Sequence, residues 1–295
     1  MKISAILSSA SILLFGLFAQ AQDQDALAKA KKLADSLRYQ KGEITLRGGL
    51  AKIPVPEGFR YLDPADAGTV LSKLWGNPPD SHTLGMLVPS DLSVVSRDAW
   101  AVVITYDEDG YVKDNDASKL DYDKLLKQMQ EGMKEANEQR KKEGYQPIEL
   151  VGWAAPPRYD KATHKMYWAK ELKFGDSPEN TLNYNIRILG RRGVLVLNAV
   201  AGMGQLQEIE QVAPQIISMV DFQEGHRYVD FNSSTDKVAT YGLIGLVVGG
   251  LAAKAGFFKL LWPALFAMKK LIVVGIAAVA ALFKKFFGKK TPEIR

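Results

Sequence analysis

The sequence predicts an α+β fold: an antiparallel sheet packed by helices in a two- or three-layer sandwich, followed by a C-terminal transmembrane helical anchor. Three observations carry this. Short β-branched and aromatic runs are joined by tight turns bearing Gly and Pro, a pattern that pairs strands antiparallel. Helical periodicities stand apart from those runs instead of alternating with them. From Tyr241 onward the chain is almost wholly apolar except for lysines in small groups.

The chain starts with Lys2 and an apolar run from Ile3 to Ala19, and Ala19-Gln20-Ala21 matches the small-x-small pattern of a signal cleavage site. The other reading of this run is an uncleaved membrane helix, for which it is short. The expected division is a signal peptide over 1–21, an extracytoplasmic α+β domain over 22–235 that folds by itself, and an anchor with a basic tail over 236–295. The 295 residues contain no cysteine. Disulfides, thiolate metal sites and a lipidated cysteine are therefore excluded.

Overall the chain has 38 basic and 33 acidic residues, a formal charge of +5. That excess is local. The tail from 241 holds nine cations against Glu293 alone and the first 21 residues hold only Lys2, which leaves 28 basic and 32 acidic residues between them. An acidic body gives no electrostatic reason to bind nucleic acid, whose affinity rests on neutralised phosphates. Lysines in the apolar tail suit anionic headgroups or mark a cytoplasmic end.

Residues 23–38 place Leu27, Ala30, Leu33, Ala34 and Leu37 on one helical face. Residues 42–63 read as two short strands around Gly48-Gly49, closed by the turn at Pro56-Glu57-Gly58. A short helix over 66–74, with Asp63 or Asp66 as its cap and Pro64 in its first turn, stops at Gly76 and Pro78-Pro79. Trp100–Tyr106 is the clearest strand. After an acidic loop, Tyr122–Glu143 is a long helix with Leu125, Leu126, Met129 and Met133 at helical spacing and Gly144 just past its end. Strands follow at 148–153, 166–174, 181–189 and 193–201. A closing helix over 205–220 carries Pro214 inside it, where a kink is expected. The order of elements resembles the fold of the photosystem II extrinsic P subunit.

Several phrases are distinctive together: WGNPP (75–79), LGMLVP (84–89), GYVKDNDA (110–117), GWAAPPRYD (152–160), LNYNIRILGRRGVLVLNAV (182–200) and RYVDFNSSTDKVATYGLIGLVVGG (227–250). In content and order they resemble a bacterial family of membrane-anchored proteins, domain of unknown function 2167. The resemblance implies a signal-bearing domain held at the bacterial inner membrane, with its main domain on the periplasmic side, and it adds no catalytic residue.

Candidate chemistry is sparse. Asp107, Asp109, Asp114 and Asp116 sit in a loop with a glycine, the oxygen-rich chemistry a hard cation prefers, but the spacing does not match an EF-hand. The competing reading is a solvated loop whose acids favour a helix start. His82, His164 and His226 lie too far apart to forecast a metal site, so no metal and no cofactor are expected. Asp160 and His164 could meet across a hairpin as a base and its orienter, although no serine sits in a nucleophile elbow. Arg191 and Arg192 in a Gly-bounded turn could fork onto an anion, or simply be solvated. Trp75, Trp100, Trp153 and Trp168 read as core aromatics.

In the tail, Tyr241–Ala253 and Leu271–Phe283 are uncharged runs of 13 residues each, flanked by lysines. A span takes about 20 residues, so each run needs lysines that snorkel. One span, two spans and helices lying in the interface all stay open. The expected function is a non-catalytic module that touches the lipid bilayer through residues 241–287 and an envelope protein through its body. The alternative is a membrane-tethered hydrolase with a cleft near Tyr159, Asp160 and His164.

Overall fold

A computed structural model describes residues 23–248 apart from Pro78 and Glu143. It is built on one eight-stranded antiparallel sheet. Before the sheet comes α1 (Asp23–Asp35). The first strands are β1 (Tyr39–Gln40), β2 (Glu43–Leu46), β3 (Ala51–Pro54) and β4 (Phe59–Leu62). Helix α2 (Pro64–Thr69) follows, with Asp63 as the cap: its carboxylate accepts from the amides of Ala65 and Asp66 at 3.0 Å each. The chain continues in a wider helical turn over Val70–Leu74.

Next come β5 (Thr83–Pro89), β6 (Ala101–Asp107), β7 (Tyr111–Lys113) and α3 (Tyr122–Lys142). Gly144 follows α3 at φ +80°, a conformation that ends helices cheaply only when glycine adopts it. The long meander is β8 (Ile148–Asp160), β9 (Lys165–Phe174), β10 (Thr181–Leu189) and β11 (Val194–Gly202). The chain closes with α4 (Leu206–Met219), β12 (Asp221–Phe222), β13 (Val238–Gly242) and α5 (Leu243–Val248). Pro214 lies inside α4, which runs through it.

The sheet order is β1-β4-β5-β6-β11-β10-β9-β8. On one face α4 packs Ile209, Ala213 and Ile216 against Leu182, Ile186, Leu195 and Leu197. The small sheet β12-β3-β2 adds Leu46, Ile53 and Phe222 to the same core. Lys165 fixes the end of α4 by donating to the carbonyls of Ile217 (2.7 Å) and Val220 (3.0 Å), where a cation also meets the helix dipole. The opposite face is covered at two places. Ala34, Leu37, Ala67, Val70 and Leu71 pack on Met86, Val88 and Val103. Leu125 from α3 and Leu243, Leu246 and Val247 from α5 pack on Met166, Trp168, Val194 and Val196. Three layers result, with apolar cores on both sides of the sheet. On the edge strand β8, the carbonyl of Leu150 accepts from Gln130, and Asn137 both donates to and accepts from Ile148.

The expected start of the anchor is corrected here. Residues 238–248 belong to the body: β13 pairs in parallel with β7, and Leu243, Leu246 and Val247 are buried in the core. Burying them beside Val112 and Leu125 removes their apolar surface from water without any lipid. Residues 241–248 of the stretch expected to touch the bilayer, 241–287, are thus part of the body. The signal over 1–21 and the remainder of the anchor lie outside the described residues. Among the described residues, no helix is long and apolar enough to cross a membrane.

Candidate functional site

The acidic loop after β6 ties the chain to itself. Asp109 accepts from the hydroxyl of Tyr241 at 2.7 Å. Asp116 accepts from the amides of Leu243 (3.0 Å) and Ile244 (3.1 Å), capping α5. Asp114 accepts from the hydroxyl of Tyr159 at 2.8 Å. Asp107 is half-buried at the end of β6, and burial pushes its carboxyl up against the opposing pull of Arg187. The four acids thus reach different partners instead of converging on one cation. Among the described residues, no group of three or more His, Asp or Glu could hold a metal ion.

The hairpin between β8 and β9 separates the expected pair. Asp160 accepts from the amide of Ala162 (2.9 Å) and the hydroxyl of Thr163 (2.7 Å), holding the turn, and the Thr163 bond keeps its carboxyl low. His164, at φ +54°, turns to Tyr159 instead: the Tyr159 hydroxyl lies 3.2 Å from His164 Nδ1, which is 3.8 Å from Asp114. Burial first, and then the bond to Asp114, push the Tyr159 phenol well above its ordinary value, so it serves as a donor. The His164 ring lies 4.1 Å from the Tyr228 ring; Tyr228 stacks on Tyr111 at 4.4 Å, and Tyr111 stacks on Phe231 at 3.9 Å. This column of rings pins the segment after Gly225 to the sheet.

Arg191 and Arg192 find their anion within the chain. Arg191 donates to both oxygens of Asp236, at 2.6 and 3.1 Å, and Arg192 donates to one of them at 3.3 Å. The Asp236 side chain has no exposed surface. The two glycines of this turn are required by space: a Cβ on Gly190 would meet the Phe222 ring at 2.6 Å, and one on Gly193 would strike the Asp107 carbonyl. The hydrogen bond from Arg191 holds the Asp236 carboxyl well below the usual carboxylate range. Replacing Asp236 with Asn is therefore expected to lower the melting midpoint at neutral pH. Because the folded value is depressed, this stabilisation is full above the ordinary carboxylate value of about 4 and is lost as pH falls below it. The gap between wild type and variant in a pH series of thermal melts should close in acid.

The sequence reading passed over a second constellation, in the middle of the sheet. Along β10, Leu182, Tyr184, Ile186 and Ile188 face α4, while Asn183, Asn185 and Arg187 take the alternate positions. Such alternation ordinarily marks a solvated face, yet all nine residues of β10 are buried. Register places Lys170 opposite Asn183, and Trp168 and Asn198 opposite Asn185, all on this face. The amides form a directed chain. Arg187 donates to Asn185 at 3.3 Å, Asn185 to the side-chain oxygen of Asn183 at 3.0 Å, and Asn183 to Asn198 at 2.9 Å. The Arg187 guanidinium lies 5.1 Å from the centre of the Trp168 ring, whose buried N–H has no hydrogen-bond partner. Burial first, and then Arg187, push the Lys170 ammonium down to about 7. Burial pushes Arg187 down to about 10, against the opposing pull of Asp107 and Tyr241.

Among solved structures, the chain is similar to cyanobacterial PsbP from Synechocystis sp. PCC 6803, with 11% identity, a TM-score of 0.35, and coverage of 64% of this chain and 93% of that one. It is similar to the Ran-binding protein Mog1p of Saccharomyces cerevisiae, with 13% identity, a TM-score of 0.33, and coverage of 63% and 96%. It is also similar to LpqN, involved in cell envelope biogenesis of Mycobacterium tuberculosis, with 16% identity, a TM-score of 0.31, and coverage of 66% and 96%. Likenesses this low carry no argument about what the chain does. No curated protein matches. The family model described as protein of unknown function, DUF2167, matches residues 38–280, most of the chain and the whole of the sheet, with α1 before it. The chain belongs to the DUF2167 family.

Proposed function

We propose that this protein is a membrane-anchored module, its body on the periplasmic side of a bacterial inner membrane, that acts by contact with an envelope protein and not by catalysis. One observation carries the reading: four of the candidate binding residues, Arg191, Arg192, Asp109 and Asp116, are engaged in securing the segment that leads to the apolar tail. Arg191 and Arg192 hold Asp236, Asp109 holds Tyr241, and Asp116 holds Leu243 and Ile244. The Tyr111 amide donates to the carbonyl of Lys237 at 2.8 Å. A body that secures the lead-in to a lysine-punctuated apolar run suits an anchor at 249–287, and the apolar run after Lys2 suits export.

The test is topological. Protease added to spheroplasts should digest the body, and carbonate washing should leave the full-length protein in the membrane pellet. Val274→Asp should weaken retention, because an acid deep in hydrocarbon costs about 2.5–3.5 kcal/mol on insertion scales. Protection of the body, or its release by carbonate, would overturn the anchored-exterior reading. Crosslinking in native membranes should then yield a discrete adduct with an envelope protein.

A further inference from the structure

We propose that the strip formed by Trp168, Lys170, Asn183, Asn185, Arg187 and Asn198 is a binding site for a small-molecule oxyanion, a carboxylate or a phosphate group. The first sign is the supply of hydrogen-bonding groups. The side-chain oxygens of Asn185, Asn183 and Asn198 each already accept a bond from the next member of the chain. Each of these oxygens keeps a second lone pair, but most of the strip's unspent groups are donors: the remaining N–H groups of Asn183, Asn198 and Arg187, the Lys170 ammonium and the Trp168 indole N–H. The indole is the sharpest sign. Trp168 is 1% exposed and its N–H is unsatisfied, a state that costs free energy unless some acceptor completes it.

Charge points the same way. Lys170 and Arg187 lie on one sheet face, and among the described residues neither forms an ion pair. Register sets Lys170 opposite Asn183 and Arg187 opposite Met166, so the two are offset along the sheet, but both are drawn out of water on one face and Arg187 repels the Lys170 ammonium. Asp107 is the carboxylate that pulls on Arg187, without an ion pair between the two. An anion seated between the two cations would relieve both their repulsion and their desolvation, while accepting from the indole. Access is from the flanks. Asn183, Asn185 and Arg187 are 4%, 2% and 9% exposed, whereas Lys170 on β9 and Asn198 on β11 keep part of their surface, so the strip meets solvent on either side of β10.

The test uses the full-length protein in detergent, titrated separately with inorganic phosphate and with succinate at constant ionic strength, with chloride as the control. Binding is read by calorimetry and by tryptophan fluorescence. One of the two probes should bind saturably, and the choice between them identifies the ligand class. Lys170→Met should weaken that binding at least tenfold. Trp168→Phe, which removes the N–H and keeps the ring, should weaken it several-fold with the cooperative melt retained. Equal responses to phosphate, succinate and chloride would reduce the effect to screening and overturn the proposal. So would unchanged affinity in a folded Lys170→Met protein, or no saturable binding of either probe. Loss of membrane retention in the topological test would leave this outcome unaffected, so the two proposals fail separately.

Discussion

Replacing Asp116 with Ala is expected to destabilise the body by about 2–3 kcal/mol, and so to lower its melting midpoint by roughly 5–10 °C. The carboxylate accepts from two consecutive amides at the start of α5, and both lose their partner at once. The consequence reaches past a cap, because α5 brings Leu243, Leu246 and Val247 into the core beside Val112, Leu125 and Trp168. Hydrogen exchange should show the loss first at the amides of Leu243 and Ile244, then across β13. Asp116→Asn keeps one acceptor and should cost about half as much. Gly242→Ala approaches from the other side: a Cβ there would lie 2.6 Å from the same carboxylate, so the two variants should give similar exchange patterns. A chain ending at Thr235 lacks β13 and α5 altogether, and is expected to lose the cooperative melt that a chain ending after Val248 should show. Full protection at Leu243 in Asp116→Ala would refute this account.

Lys170→Met is expected to act in the opposite direction, stabilising the protein by about 2 kcal/mol below pH 7, or roughly 4–8 °C in midpoint. The folded value of this lysine is lowered to about 7, from 10.5 when it is unperturbed. Below 7 both folded and unfolded chains hold the proton, and the folded state carries the whole cost of a desolvated ammonium. Between about 7 and 10.5 the unfolded chain binds the extra proton, so wild-type stability climbs with pH and the advantage of Met shrinks. Lys170 keeps partial exposure, and water relieves part of the cost, which is why the expected gain is well under what the full displacement would imply. Arg187 is the charged group that acts on it, and Arg187 in turn faces Asp107 and Tyr241, both pushed up by burial. Thermal melts at about pH 6 and about pH 9 check both the sign and the slope. A variant that is more stable but no longer binds an anion would mark Lys170 as kept for binding at the expense of stability.

Much of the fold was legible because its elements are local. The periodicity of Leu125, Leu126, Met129 and Met133 marks α3, and the turns at Gly175-Asp176 and Gly190–Gly193 bound β10 and β11 almost to the residue. β5 was not anticipated, since Gly85 and Pro89 interrupt an apolar run of only a few residues. β7 and β13 could not be read at all. Each is short, and their pairing joins Tyr111 to Val238 across more than a hundred residues. The same separation hides the sites. Asp114 looked like one of four loop acids until folding set it beside Tyr159 and His164, and Asp236 had no motif to link it with Arg191 and Arg192. The Asn183, Asn185, Arg187 alternation was visible in the sequence. Its burial was not, because alternation alone does not say which face of a strand meets water.

The two ends of the large sheet also bear on how copies of this protein can coexist. A sheet margin with unpaired backbone groups invites another strand, and crowding on a surface raises the chance that one arrives. Here one margin is β1, two residues long, which offers almost no template. The other is β8, whose backbone is met by Gln130 and Asn137 and broken by bulges between Leu150 and Arg158. Pro156 and Pro157 lie within that broken stretch and have no N–H to offer a neighbour. Strand addition is thereby disfavoured at both margins of the large sheet.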